Sequence, residues 1–357
     1  MNAPNAPSRF LKPDEGLDMN LVRYLIGSLI PAIALILAPQ SSAQEPVVLK
    51  FATTEPPASI ATQIWQRWAD QVNKDGKGVI EIKMFAGGAL GRDPRNQLTL
   101  VQSGVADIAF GFPWFTPGKF PDNLVVSLPT IARSVGEGSY ALWRLHEKKL
   151  LRGWDDVVPL MQATSSPVIV MSTKPVPNIE ALKGLRSSAS TPLQMQSVQT
   201  LGASPVSGFN FSNSAEAMSR GVLDMDLIGF TPSVIFKQFD VANYALELPL
   251  GPSPVAIFMN KNVYDQLSPK AKEILDRNSG PVLVKMWVDA IGARESELRE
   301  KWKAAPNKQL SSMSDADMKR AEEAVASVIK DWARSQPNGD ALVQTFRDEV
   351  AKVRQAQ

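Results

Sequence analysis

The 357-residue sequence contains no cysteine and a single histidine, His146. Without cysteine, the chain has no disulfide and no thiolate that could bind a metal, hold an iron–sulfur cluster or act as a nucleophile. One histidine cannot form a histidine-rich metal site and leaves few groups that change charge near neutral pH. These two absences argue against much hydrolytic and metal-dependent chemistry. We therefore expect neither a cofactor nor a bound metal.

A strong net charge is also absent. Lys and Arg number 38 and Asp and Glu number 36, which gives a formal net charge of +2 at pH 7. A protein that binds nucleic acid mainly through phosphate contacts carries a larger positive excess, so this balance argues against that class. The hydrophobic share of 44% and the charged share of 21% are typical of a folded globular protein. At about 150 residues per domain, the length predicts about two domains.

The apolar run near the N-terminus, Leu25–Ala38, has 14 residues, fewer than the ~20 that a membrane-spanning helix needs. Arg23 precedes this run, and the small residues Ser41–Ala43 follow it. The pattern is typical of a secretory signal peptide, with a retained N-terminal anchor as the alternative. We predict that residues 1–43 are an extension plus a signal peptide, that translation starts at Met19, and that the protein is exported to the periplasm.

Beyond the signal peptide, predicted strands alternate with predicted helices. Val47–Thr53, Val79–Phe85 and Val105–Phe110 are short apolar or β-branched runs, which indicate buried strands. Ala61–Val72 lies between the first two and carries large apolar residues on one face of a helix. This alternation predicts an α/β domain whose sheet is covered by helices.

The second half repeats the pattern and ends in helices. Pro167–Met171 and Val255–Met259 are predicted strands, and Val282–Trp302 is predicted to be a helix long enough to brace two lobes. Ser268 and Ser314 are predicted helix N-caps. No long flexible linker interrupts the chain, so we expect two lobes in close contact.

The sequence contains few candidate catalytic residues. His146 lies on the polar side of a predicted helix without an identifiable nucleophile or orienting acid, and we interpret it as a surface residue. Gly87–Arg92 is glycine-rich but lacks the Gly-Lys-Ser/Thr ending of a phosphate-binding loop, so an ordinary loop is favoured. The carboxylate pairs Asp155–Asp156 and Asp224 with Asp226 lie outside any calcium-loop pattern, which favours a structural role.

Aromatic residues at predicted loop positions are more informative. Phe110–Phe115 directly follows the third strand, and Phe209–Phe211 lies between two predicted helices. Ligands of open α/β sheets usually bind beyond the strand ends, where aromatic side chains can stack on a small molecule. Core packing between the lobes is the alternative explanation.

Several short motifs occur in an order that resembles one family. The DctP-type solute-binding proteins of tripartite ATP-independent periplasmic (TRAP) transporters share these motifs, and the similarity runs over roughly Val47 to Trp332. The matching segments are Phe51–Thr53, Ile64–Val72, Val79–Phe85, Gly88–Gly91, Leu98–Ala109, Ala181–Leu185, Leu201–Val206 and Arg220–Asp224.

The resemblance implies two α/β lobes joined by crossing strands and a long bracing helix. Lobe I would comprise residues 44–165 and 254–293, and lobe II residues 166–253 and 294–357, with the C-terminal helices packed on it. The crossing strands would lie near Pro167–Met171 and Val255–Met259. The implied function is capture of a small molecule by hinge closure and its delivery to a membrane permease, without enzymatic activity. A binding subunit of a sensor system and, less favoured, an exported hydrolase are the alternatives.

The sequence departs from the family where members that bind organic acids hold the carboxylate. Ser188 and Val168 stand where such members carry arginine, and Ile228 stands in place of an asparagine. Serine cannot replace the two parallel bonds of a guanidinium, so we predict that C4-dicarboxylates are not the ligand and that a less charged, more apolar molecule is. Rescue of a single acid group by Arg92 or Arg186 is the open alternative. The predicted ligand-binding residues are Glu55, Arg92, Phe112, Trp114, Val168, Ser188, Phe211, Asp226 and Ile228.

Overall fold

The computed structural model describes residues Glu45–Ala356. The predicted extension, signal peptide and cleavage site after Ala43 lie outside the described residues and remain predictions.

Strands alternate with helices along the described chain, as the sequence predicts. The strands are β1 (Val47–Ala52), β2 (Ile80–Phe85), β3 (Ile108–Gly111), β4 (Val157–Thr164), β5 (Ile169–Ser172), β6 (Arg186–Ser188), β7 (Ser204–Pro205), β8 (Met225–Ile228), β9 (Tyr244–Glu247), β10 (Pro254–Asn260) and β11 (Gln309–Ser312). The helices are α1 (Ile60–Asp75), α2 (Gln97–Gln102), α3 (Val135–Glu147), α4 (Pro192–Thr200), α5 (Ser214–Ser219), α6 (Phe230–Phe236), α7 (Gln238–Val241), α8 (Lys261–Gln266), α9 (Pro269–Asn278), α10 (Pro281–Ala304), α11 (Asp315–Ser335) and α12 (Gly339–Ala356).

The strands form two sheets, one in each lobe. The first has the order β2-β1-β3-β10-β4, in which β1 is parallel to β2 and β3 while β10 is antiparallel to β3 and β4. The second has the order β11-β9-β5-β8-β6-β7, in which β5 is antiparallel to β8 and β9. Helices pack against both sheets, which is why strands such as β3, β5 and β8 are buried along their whole length. The predicted two-lobed α/β fold is confirmed.

Local signals in the sequence account for most element positions. In α1, the large residues Ile64, Trp65 and Trp68 are buried on one face, as their spacing predicts. The predicted N-caps are confirmed, since the side chains of Ser268 and Ser314 accept hydrogen bonds from backbone N–H groups of the helices that follow. The third strand begins at Ile108, later than predicted, because the chain is still leaving a turn at Gly104, which has a positive φ.

Two short segments cross between the sheets, one between β4 and β5 and one between β9 and β10, and the chain passes a third time through α10 to reach β11. Both runs expected to be crossing strands are strands, and each begins at the end of a crossing segment. The two crossings are tied to each other, because Ser165 N donates to Ser253 O (2.8 Å) and Ser253 N donates to Ser165 Oγ (3.0 Å). Paired short crossings of this kind suit a hinge, since few backbone angles need to change when two lobes move.

The long helix α10 braces the two lobes, as predicted. Near its N-terminal end, Trp287 stacks on Trp65 of the first lobe with ring centroids 5.1 Å apart, and its Nε1 donates to Thr164 O (2.7 Å). Further along, the Glu295 carboxylate accepts hydrogen bonds from Phe230 N (3.2 Å) and Thr231 N (2.5 Å) at the start of α6 in the second lobe. One helix is therefore fixed to both lobes on either side of the space between them.

The C-terminal helices differ from the expectation that they pack on lobe II. Helix α12 packs against α3 of the first lobe, where Arg354 forms two 2.8 Å bonds with the Glu137 carboxylate. Trp332 of α11 and Phe346 of α12 belong to the first lobe's hydrophobic core, although α11 also contacts α4 of the second lobe. The cause is the apolar stripe along these helices, which is buried against the first lobe. The remaining lobe boundaries are still predictions that come from the resemblance.

Candidate ligand-binding cleft

A cavity of about 110 Å³ lies between the lobes. Its lining comes from the loops that follow β1 and β3, from the end of β8 with the start of α6, and from one face of α10. These are strand-end positions, where α/β proteins usually bind ligands. An apolar cavity of this order of size accommodates a single aromatic ring.

Aromatic side chains of both lobes form the walls of the cavity. From the first lobe, the ring centroids of Phe112 and Trp114 lie 4.6 Å apart. From the second, Phe211 and Phe236 also lie 4.6 Å apart, and Phe211 faces Phe112 across the cleft at 6.4 Å. Offset and tilted rings at these separations attract one another and would stack on an inserted ring in the same way.

The loop after β1 places Glu55 in the cavity wall. The backbone carbonyl of Glu55 accepts a bond from Gly87 N (2.8 Å), and the Thr53 carbonyl accepts one from Gly88 N (2.9 Å). Both glycines have a positive φ, and a Cβ on Gly88 would meet Arg92 Cα at 2.9 Å. The glycine-rich segment is therefore an ordinary loop, as interpreted, and its amides shape the turn that carries Glu55.

The Glu55 carboxylate has no hydrogen-bond partner among the described residues, although other atoms of its loop are well bonded. Part of the residue reaches solvent, but burial of the carboxylate among apolar groups raises its pKa to about 7. Among the described residues that line the cavity, Glu55 is also the only ionisable one.

Trp114 contributes a second unpaired polar group to the same cavity. Its Nε1 is buried and lacks a hydrogen-bond partner within the described part of the chain. A buried donor without an acceptor costs about 1–3 kcal/mol. Such a group in a cavity wall is an expected contact for a bound molecule.

Ser188 and Asp226 were predicted to bind ligand, but neither lines the cavity. Ser188 Oγ donates to Asp226 Oδ1 (2.7 Å), and Ser214 and Gln238 also donate to the Asp226 carboxylate. Burial raises the pKa of Asp226, while these hydrogen bonds counteract that shift. The group connects β6 and β8 with α5 and α7 behind the cavity wall, so its role is in the fold.

The two arginines considered as substitutes do not reach the cavity either. Arg186 forms a bidentate pair with Asp224, with both bonds at 2.9 Å, and this pairing lowers the pKa of Asp224. Arg92 is exposed on the glycine-rich loop and is not part of the cavity lining. Neither arginine therefore replaces the cation that is missing at Ser188 and Val168, the positions where family members that bind organic acids carry arginine.

The candidate catalytic residues His146, Asp156 and Asp224 have structural partners. His146 packs on Trp143 with ring centroids 4.8 Å apart, and burial lowers its pKa. Asp156 pairs with Lys119 (2.6 Å), as Asp224 does with Arg186. Residues 45–356 contain no cluster of acidic or histidine side chains suited to a metal ion.

Six of the nine predicted ligand-binding residues line the cavity, and Arg92, Ser188 and Asp226 do not. The six are Glu55, Phe112, Trp114, Val168, Phe211 and Ile228. Sequence reasoning missed other lining residues, among them Ile60, Ser166, Ser190, Ile235, Phe236 and Trp287. Ile235 and Phe236 follow the end of β8, so the strand-end rule applied to that strand would have found them. Trp287 carries no such signal, because its spacing in α10 is that of an ordinary buried helix face.

Comparison with known proteins identifies the family. The family model DctP, described as bacterial extracellular solute-binding protein, family 7, matches residues 51–336. The chain belongs to this family. Its two-lobed fold and inter-lobe cavity agree with that assignment, and the resemblance to TRAP solute-binding proteins is confirmed.

Solved relatives share the whole fold at low sequence identity. A TRAP solute-binding protein from a marine metagenome, described as specific for aromatic acid ligands and bound to 3-hydroxybenzoate, is 25% identical with a TM-score of 0.79, covering 87% of this chain and 99% of that one. A TRAP solute-binding protein from Rhodoferax ferrireducens, bound to copurified benzoate, is 24% identical with a TM-score of 0.79, covering 87% and 99%. That second likeness shows the fold alone.

A curated relative covers nearly the same length. The outer membrane transporter protein TsaT of Comamonas testosteroni is 24% identical over an alignment of 348 positions that covers 93% of this chain and 99% of the relative. Within the residues that the structure describes here, no helix combines the length and apolar character required to cross a membrane.

Proposed function

We propose that this solute-binding protein captures a small, mainly apolar aromatic molecule between its lobes. The observation that carries the proposal is the cavity lining, in which Phe112, Trp114 and Phe211 provide rings and no described lining residue is basic. A C4-dicarboxylate would bring two negative charges into a site that offers no cation to pair with them. The relative crystallised with 3-hydroxybenzoate supports a ligand built on one aromatic ring.

The proposed mechanism is hinge closure. Phe112 and Phe211 come from opposite lobes, so a molecule stacked between them gains contacts that an open cleft lacks. This difference in affinity favours the closed form, which a TRAP permease would recognise. We further propose that the protein acts in the periplasm after removal of its signal peptide and that it binds its ligand without turning it over.

A titration of the purified protein tests the ligand class. Single-ring compounds (benzamide, benzoate, 3-hydroxybenzoate and benzyl alcohol) and the C4-dicarboxylates succinate, malate and fumarate are compared by calorimetry and by thermal unfolding. A ligand present at 100-fold its dissociation constant adds about 2.7 kcal/mol to the free energy of unfolding. We expect this from at least one ring compound, with a smaller radius of gyration in solution scattering. Micromolar binding of a dicarboxylate, or binding of no ring compound, would contradict the proposal.

A further inference from the structure

Glu55 differs from the other carboxylates near the cleft. Asp226 is bonded by Ser188 and Gln238, and Glu295 accepts two backbone N–H groups of α6. The Glu55 carboxylate has no such partner among the described residues, yet its loop is held in place by the bond from Gly87 N to the Glu55 carbonyl. The loop therefore presents an unpaired acceptor to an apolar cavity.

Trp114 supplies the complementary group. Its unpaired Nε1 donor lines the same cavity as the Glu55 acceptor. Each group gains a hydrogen bond only from a molecule that carries its counterpart, so a ligand that pairs with both has at least one donor and one acceptor. A carboxylate anion has acceptors only, whereas a carboxamide or a hydroxyl group has both.

We propose that the ligand is an uncharged aromatic molecule that donates a hydrogen bond to Glu55 and accepts one from Trp114, and that Glu55 excludes aromatic carboxylate anions. This inference rests on the proposed function and specifies the charge of its ligand. The cleft differs in this respect from one built to hold an acid, because its charged group has the same sign as the carboxylate that it would meet.

The exclusion depends on the ionisation of Glu55. Burial raises its pKa to about 7, so the carboxylate is mostly ionised at pH 8 and mostly protonated at pH 6. At pH 8, benzoate would place a second negative charge beside it in a poorly solvated cavity. At pH 6, the protonated acid can donate a hydrogen bond to benzoate, so the repulsion disappears.

No other charged side chain competes for this role within the described lining. Burial is the only cause of the raised pKa of Glu55, without an identified charge contribution from a neighbour. All charged residues of the surrounding elements other than Glu55 lie outside the cavity lining, among them Arg67 on α1, Arg92 on the glycine-rich loop, and Arg294, Glu295 and Glu297 on α10.

Matched titrations with benzamide and benzoate test the proposal, since these compounds share a ring and differ in charge. For the wild-type protein at pH 8, we expect benzamide to bind at least about tenfold more tightly than benzoate. Lowering the pH from 8 to 6 should tighten benzoate binding about tenfold, which is the change in the protonated fraction of Glu55. Benzamide binding should change little, because either form of Glu55 accepts its hydrogen bond.

The variant Glu55→Gln should remove the discrimination, tightening benzoate binding at pH 8 and abolishing its pH dependence. Glu297→Gln is the matched control, because it removes the same charge from the adjoining groove outside the cavity and should preserve the wild-type ratio. Tighter binding of benzoate than of benzamide at pH 8 would overturn the inference while leaving the aromatic ligand class intact. Binding of neither ring compound would contradict the proposed function as well. If Glu55→Gln does not fold, the wild-type pH series alone decides.

Discussion

The carboxylates nearest the cleft differ between the two lobes. In the first lobe, Glu55 faces the cavity without a partner, beside the unpaired Nε1 of Trp114. In the second, Asp226 lies one layer back and is bonded to Ser188, Ser214 and Gln238. Polar groups that already have partners hold the fold, whereas unpaired ones remain free to contact a ligand. An acid in the cleft wall is thus a candidate ligand contact when its carboxylate has no hydrogen-bond partner in the protein.

The largest expected effect is the loss of the Asp226 network. Asp226→Ala leaves the donors of Ser188 and Gln238 buried without an acceptor and opens a void between β8 and α5. Each unsatisfied group costs about 1–3 kcal/mol, so the free energy of unfolding should fall by about 3 kcal/mol. Urea unfolding measures this change. Asp240→Ala removes an exposed aspartate nearby and should change stability by less than about 0.5 kcal/mol; an equal loss in both variants would refute the structural role of Asp226.

Glu55 should show the opposite behaviour, since its removal stabilises the protein at neutral pH. Its pKa is 4.5 in ordinary surroundings and about 7 in the folded protein. As the pH rises from about 4.5 to 7, the unfolded chain loses the proton first, so this group progressively destabilises the fold. Between pH 5 and 7.5, wild type should lose about 2 kcal/mol relative to Glu55→Gln. Parallel stability curves for the two proteins would show that Glu55 is well solvated.

Phe211 tests the aromatic contact between the two walls. It lies between Phe112 of the first lobe and Phe236 of the second. Phe211→Ala should weaken binding of a ring compound about tenfold, or ~1.4 kcal/mol, because one stacking partner is lost. Titration calorimetry measures this effect. Phe209→Ala, a change in the same loop outside the cavity lining, is the control and should leave the affinity within about twofold.

The sequence predicted the fold better than the site. Strands such as Val47–Ala52 and the caps at Ser268 and Ser314 follow from local patterns that depend on few neighbours. The packing of α12 on α3 depends on where distant apolar faces meet, so no local signal revealed it. In the site, the aromatic residues after β3 were found because strand ends are where ligands bind. Ser188 and Asp226 were misplaced because a pattern shows that a residue is polar but not whether another side chain already satisfies it.

The smallest expected effect distinguishes an unpaired indole from a paired one. Trp114→Phe keeps a ring in the cavity wall and removes the unpartnered Nε1, whose burial disfavours the fold. Stability should therefore not fall, while affinity for benzamide falls about fivefold, or ~1 kcal/mol. Trp154→Phe is the matched control, because Trp154 Nε1 donates to Asn123 Oδ1 (3.1 Å) in the first lobe, outside the cavity lining. That variant should lose about 1 kcal/mol of stability and keep its affinity. Calorimetry combined with urea unfolding separates the two outcomes. A Trp114→Phe protein that binds benzamide as tightly as wild type would show that the indole N–H makes no bond to the ligand, and the donor–acceptor complement assigned to the cleft would then rest on Glu55 alone.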